Sequence, residues 1–260
     1  MSSPITFYDL RFKSGIAGSP NAWKTRFTLN YKGIPFKTTY INFVDLKPTF
    51  QEKGIPPSQG DAYTVPAIYD PTTGQTVSDS ARIAEYLDSQ YPDTPSVYPP
   101  STRDAQIAFE KNVRTPFAFT IFPLILMELY DLVEDKDREY FRRTREALFR
   151  GPLESVVPRG EKRVAQLEVV RTGLDKVAKE IANHAGEGAL FFGGESPCFA
   201  DMSLASTFKS VLAIGKGDPE YDLCKVFLSH EWAARVAPQA PATSLEYLLA
   251  QGSKLVFTAN

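Results

Sequence analysis

Ser19-Pro20-Asn21-Ala22-Trp23-Lys24 places a hydroxyl and a carboxamide where a helix begins. A hydroxyl at the positive end of a helix can donate a hydrogen bond to a nearby anion such as a thiolate. Such surroundings lower a thiol from its ordinary pKa of about 8.5 by one or two units or more. Two units correspond to about 2.7 kcal/mol in favour of the thiolate. A plain N-cap is the alternative role for Ser19. Asp79-Ser80 stands directly before a second helix. The pair caps it, and the same exposed N–H groups suit a ligand carboxylate. Val65-Pro66 interrupts a strand pattern. Proline there implies an edge position or a cis turn, and a cis turn would leave the N–H and C=O of Val65 free to pair with a peptide-like ligand. Lys47 to Lys53 adds cations for a second carboxylate, although surface lysines are mostly just solvated.

The elements that must position these residues alternate along the first ninety positions. Ile5 to Leu10 reads as a strand, and a loop with Gly15, Gly18 and Pro20 follows. Asn21 to Tyr31 is a predicted helix, with Trp23, Phe27 and Tyr31 at four-residue steps and Gly33 as its stop. Pro35 to Phe43 is a second strand, and the stretch with Pro48, Gly54, Pro56, Pro57 and Gly60 reads as turns. Thr64 to Asp70 and Gln75 to Val77 form a hairpin across Pro71-Thr72-Thr73-Gly74, and Ser80 to Tyr91 is a helix. A βαβ unit followed by a hairpin and a helix makes a small α/β domain, 1–92. The proline-rich run Tyr91 to Thr102 is the interdomain linker. Beyond it, 103–260 reads as all-helical, with helices over 107–131, 161–183, 200–214, 221–236 and 244–250. Pro116 and Pro123 are expected kinks in the first of these.

Composition removes several classes. Hydrophobic residues make up 43% and charged residues 23%, as in globular proteins. Lys plus Arg number 29 against 31 for Asp plus Glu, a net charge of −2 that gives no polyanion grip, so no nucleic-acid partner is expected. The longest apolar run, Phe117 to Met127, falls short of the roughly 20 residues needed to cross a bilayer, so no membrane association is expected. Two histidines, His184 and His230, without a tight Cys/His cluster leave no zinc site, and no metal is expected. The pair Cys198 and Cys224 builds no disulfide framework, and no leader-like segment opens the chain. Both point to a reducing, cytoplasmic setting.

Taken together, the motifs resemble the thioredoxin-fold domain of cytosolic glutathione transferases. Past the linker, Phe191-Phe192-Gly193-Gly194 and Cys198-Phe199-Ala200-Asp201 look like the helix-start motif of that family's helical second domain. Thr6-Phe7-Tyr8-Asp9 with Ser19-Pro20 through Lys24-Thr25-Arg26 looks closest to the β-etherase-like branch, which includes the fungal FuA class and the bacterial lignin β-etherases. The resemblance implies a thioredoxin-like α/β domain plus an all-α domain, glutathione as co-substrate, and a homodimer. Ser19 would activate the glutathione thiol, with Asn21 as an auxiliary donor. Val65 would pair with the cysteinyl backbone beside a cis Pro66. Asp79 and Ser80 would hold the ammonium and carboxylate of the γ-glutamyl end. Lys47, Gln51 and Lys53 are unranked candidates for the glycyl carboxylate. Tyr8, near the end of the first strand, is carried as a substrate-site candidate beside the alternative of a core phenol. Phe117, Phe119 and Phe122 are candidates for an aromatic second substrate, most aromatics of that helix being core.

Two departures narrow the chemistry. Thiol-transferring branches carry Cys where this chain has Ser19, and serine cannot form a mixed disulfide, so thiol–disulfide exchange at that position is excluded. Cys198 stands where the family usually has the Ser or Thr of a capping box, which implies a cap weaker by roughly 0.5–1 kcal/mol and an inert buried thiol. The expected activity is transfer of glutathione to aromatic electrophiles or aryl ethers. A non-catalytic ligandin storing phenolic compounds is the rival. The arginine-rich run Lys136 to Arg150 reads as a solvated helix.

Overall fold

Strand β1 (Ile5–Leu10) lies inside the sheet, and five of its six residues are buried because both of its faces are covered. In the computed structural model, which describes residues 3–15, 17–214 and 222–230, it pairs parallel with β2 (Phe36–Ile41) and antiparallel with β3 (Ala67–Asp70). β4 (Gln75–Ser78) completes the order β2-β1-β3-β4. The helix after β1, α1 (Pro20–Tyr31), is buried from Ala22 to Leu29, more than its sequence stripe implies. The sheet takes one side and the second domain's α9 (Phe199–Ile214) takes the other. Several polar groups on α1 are paired: Arg26 reaches Asp9 at 3.0 Å, and Thr28 Oγ1 donates to the Lys24 carbonyl at 2.9 Å. The stretch expected as turns instead contains a short helix, α2 (Leu46–Glu52). Its Pro48 sits in the first turn, where the missing N–H has no partner to lose. Helix α3 (Ser80–Gln90) closes the domain.

The proline-rich linker is not a free tether. Asp88 accepts from Lys32 Nζ (2.7 Å), Ser96 Oγ (2.7 Å) and the N–H groups of Val97 and Tyr98. The Phe199 N–H donates to the Val97 carbonyl at 2.9 Å, joining linker to helical domain.

That domain contains α4 (Arg103–Phe109), α5 (Thr115–Leu132), α6 (Arg138–Phe149), α7 (Leu153–Val156), α8 (Glu161–Ala185), α9 and α10 (Asp222–Ser229). A π-helical turn, Glu110–Arg114, joins α4 to α5. Pro116 has no N–H to give the Asn112 carbonyl, and that carbonyl accepts from Lys176 Nζ at 3.4 Å instead. The continuous helix 103–132 is long and apolar enough to cross a membrane by length and composition, against the expectation from the shorter run Phe117 to Met127. Much of its apolar surface goes elsewhere: Phe117, Ile121, Leu124 and Leu126 are buried in the helical core. The helix expected over 244–250, and the end of that expected over 221–236, lie outside the described residues.

The start of α9 is built around one carboxylate. Asp201 accepts from the N–H groups of Phe192 (2.7 Å), Gly193 (3.2 Å) and Cys198 (2.8 Å). A Cβ on Gly193 would lie 2.2 Å from the Ser196 carbonyl, so no other residue fits that turn. Cys198 is buried, and burial, with the Asp201 charge beside it, pushes its thiol well above the usual range. Asp201→Ala orphans three N–H groups at about 1 kcal/mol or more each. A loss of about 3 kcal/mol is expected in urea unfolding, and a loss below 1 would show that the loop finds other partners.

Candidate active site

The loop before α1 is set by two contacts. The indole Nε1–H of Trp23 donates to the Ala17 carbonyl at 2.6 Å, and Gly18 lies against the Phe12 ring, where a Cβ would come within 3.2 Å. Ser19 caps the helix, its Oγ accepting from the Ala22 N–H at 3.4 Å, with Pro20 at the first helical position. Capping uses an acceptor lone pair and leaves the Ser19 hydroxyl proton to donate elsewhere. The two readings of Ser19 are thus compatible.

Ser19 and Asn21 open onto a cleft of about 550 Å³ between the two domains, lined also by Tyr63, Thr64 and Val65. The Val65–Pro66 peptide is cis. Neither the N–H nor the C=O of Val65 makes a backbone hydrogen bond among the described residues. Asp79 has φ = 80°, a conformation rare for a residue with a side chain. Its N–H is held by the Pro66 carbonyl at 3.2 Å, and its Oδ1 caps α3 through the N–H groups of Ala81 and Arg82. Its Oδ2 makes no hydrogen bond among the described residues, and the next residue is the buried Ser80. Lys47, Gln51 and Lys53 are all exposed on or just after α2, away from the residues that line the cleft.

Two aromatic candidates line the cleft and two do not. Phe119, 52% exposed, and Phe122 face it from α5. Phe117 is corrected to a core residue. It packs over Gly173, with Phe208 and Phe227 rings each 6.4 Å away. The helical turn carries Phe119 and Phe122 toward the cleft and Phe117 inward. Tyr8 is likewise a core phenol, buried and edge-on to Phe50 at 5.6 Å. Burial, with Tyr69 nearby, pushes its pKa up, as expected of a core phenol.

A group of charges that sequence reasoning missed lies on the cleft wall. Glu110, in the π-turn, accepts from Lys24 Nζ at 2.8 Å, from Arg114 through Nε and Nη2, and from Ser203 Oγ at 2.7 Å. Burial brings the Lys24 ammonium down to about 8, with Glu110 offsetting part of that. Burial alone would raise the Glu110 carboxyl, but the two cations hold it at about 2. Two cations against one carboxylate leave a surplus positive charge on the cleft wall shared with Ser19. The i, i+4 spacing of Glu110 and Arg114 was visible in the sequence. Lys24 lies 86 positions away and joins only through domain docking.

The sheet order, the cis-proline turn and the capped Ser19 define a thioredoxin-like domain with a cleft closed by a helical domain. The chain belongs to the glutathione transferase family. The family descriptions "Glutathione S-transferase, N-terminal domain" and "Glutathione S-transferase, C-terminal domain" match residues 14–95 and 105–222. The glutathione S-transferase-like protein ustS of Aspergillus flavus is 31% identical over 220 residues, covering 78% of this chain and 79% of that one. A glutathione S-transferase of Ceriporiopsis subvermispora, solved in complex with glutathione, superposes with a TM-score of 0.83 at 35% identity over 92% of this chain and 99% of its own. Glutathione transferase GSTFuA3 of Phanerochaete chrysosporium also gives a TM-score of 0.83, at 31% identity over 97% and 98% of the two chains. These fungal FuA-class neighbours are the branch that the N-terminal motifs resemble.

Proposed function

We propose that this transferase activates glutathione through Ser19 and delivers it to a hydrophobic aromatic electrophile or aryl ether in the interdomain cleft. The observation that carries this reading is the pairing, in one cleft, of a free Ser19 hydroxyl proton with an aromatic wall made by the exposed Phe119 and the partly buried Phe122. The tripeptide would lie along Val65 as a short added strand, its γ-glutamyl end at Asp79 and Ser80 and its glycyl carboxylate toward Lys47, Gln51 or Lys53. The glutathione S–H loses its proton to solvent. Ser19 Oγ–H, the amides at the start of α1 and the surplus charge of the Lys24–Glu110–Arg114 group favour the thiolate that remains. Asn21 offers a further donor. The sulfur then attacks the electrophilic carbon, forming a C–S bond while the leaving group departs with its electron pair. Holding both reactants in one cleft supplies the proximity contribution. The expected assembly and setting are a cytoplasmic homodimer.

Turnover of a panel of aryl halides and aryl ethers, beside calorimetric binding of the same compounds, tests the reading. Tight binding without any turnover would replace it with phenolic storage. Asp79→Asn keeps the helix cap but loses the charge offered to the ammonium. An approximately tenfold rise in the glutathione KM with kcat nearly unchanged is expected, since that contact is made equally in ground and transition states. A fall in kcat at unchanged KM would move Asp79 out of the binding role.

A further inference from the structure

The arginine-rich helix α6, expected from its sequence to be a solvated element, turns one of its cations inward. Arg145 lines the same cleft as Ser19, from the opposite domain. Its guanidinium carbon lies 4.5 Å from the centre of the Phe141 ring and 5.5 Å from that of Phe43. One N–H, on Nη1, donates to Thr144 Oγ1 at 2.8 Å, and no carboxylate pairs with Arg145 among the described residues. A guanidinium has five N–H donors, so four remain unused.

The neighbouring acids are engaged elsewhere. Glu146 and Glu154 are held by Arg142. Glu110, the one carboxylate lining the cleft among the described residues, is held by Lys24 and Arg114. Among the described residues Arg145 is therefore the cleft-lining cation that touches no carboxylate, in surroundings apolar enough that burial pulls its pKa down.

The surroundings are also built. The buried Asp137 carboxylate accepts from Asn42 Nδ2 at 2.8 Å and from the Val44 N–H at 3.0 Å. Those bonds hold Phe43 edge-on to Phe141, with ring centres 5.8 Å apart, and Tyr140 lies beside them. A planar cation set among aromatic rings on a cleft wall matches one ligand chemistry: a flat ring carrying a carboxylate, which the guanidinium fork can grip at two oxygens.

We infer that Arg145 is the specificity-determining residue of the second-substrate half of the cleft, binding the carboxylate of an aromatic acid whose ring lies beside the partly exposed Tyr140, with the buried Phe43 and Phe141 rings backing the guanidinium. The inference deepens the proposed function and rests on it for the identity of the ligand as a substrate. The binding subsite itself stands on the geometry of α6 and Phe43.

The test uses 2-naphthoate and its neutral isostere 2-naphthamide, titrated by calorimetry into the whole protein with and without glutathione. The wild-type protein is expected to prefer the acid at least tenfold, which is about 1.4 kcal/mol. Arg145→Met should reduce that preference to less than twofold while the amide affinity and the glutathione affinity stay unchanged. Arg145→Lys, which keeps the charge and loses the fork, should fall between the two. Equal affinities of acid and amide for the wild-type protein overturn the inference without need of any variant. So does a preference that survives in a folded Arg145→Met protein. Loss of glutathione affinity in Arg145→Met overturns it too, by assigning Arg145 to a carboxylate of the tripeptide. If glutathione fails to bind the wild-type protein while the acid preference persists, the transferase mechanism falls and the subsite stands.

Discussion

Replacing Ser19 with alanine is expected to lower kcat/KM about 100-fold at pH 7 while glutathione still binds. Ser19 Oγ already serves the α1 cap as an acceptor, so its proton is the group the bound sulfur would lose. A donor that lowers a thiol by two units contributes about 2.7 kcal/mol, and the same figure read as a barrier is two decades of rate. The diagnostic readout is the pH profile. With glutathione saturating and the electrophile varied, kcat/KM in the wild type rises through a pKa depressed below the ordinary thiol value of about 8.5, and in Ser19→Ala that inflection moves up toward it. Rates of the two proteins therefore converge at high pH. The cap is lost as well, at a cost of about 1 kcal/mol of stability, so melting temperatures must be measured alongside. Ser19→Thr, which retains both cap and donor, should recover most of the rate. An inflection that stays in place in Ser19→Ala would assign activation to Asn21 or to the backbone amides of α1.

Glu110→Gln is expected to cost about 3 kcal/mol of stability at pH 7. The Glu110 carboxyl sits at about 2 in the folded protein against 4.5 when unpaired. A group whose folded pKa is depressed contributes stability that is fully present above its unfolded pKa and is lost as pH falls through the folded one. Here that window runs from about 4.5 down to about 2. The gap corresponds to about 3 kcal/mol, and the Glu110 side chain is only 24% exposed, so solvent screening removes little of it. Glutamine keeps the shape and leaves Lys24 and Arg114 side by side without an anion, the costly way to break a buried pair. Urea midpoints for the two proteins should differ widely at neutral pH and draw together as pH falls from 4.5 toward 2. A difference that stays constant with pH would mean that Glu110 acts through its shape and not its charge.

The backbone geometry around the candidate residues of the N-terminal domain is readable because its signals are local. A serine before Pro20, an aspartate before a helical stripe and a proline in a strand pattern each specify backbone geometry within a few residues. β1, α1, β2, the hairpin and α3 all form close to where periodicity and turn residues placed them. α2 is hidden in the sequence because it contains Pro48 and is followed by Gly54, Pro56, Pro57 and Gly60, although Pro48 falls in a first turn where it does no harm. Phe117, Phe119 and Phe122 are chemically alike, and a stripe apolar on most sides does not say which side meets a cleft.

Composition, caps and spacing were enough to determine a small α/β domain joined to a helical one; the thioredoxin-like fold and the candidacy of Ser19, Val65, Asp79 and Ser80 as one set came from the motifs' resemblance to a family. Only the tertiary structure decided that Lys24, Glu110 and Arg114 share charge on the cleft wall, that Tyr8 and Phe117 belong to the core, and that Arg145 faces inward among aromatic rings. The physical reason is range. Helix and turn preferences act between residues a few positions apart, whereas a cleft between two domains is made by which faces are left over once the apolar surface of α1, α5 and α9 is buried.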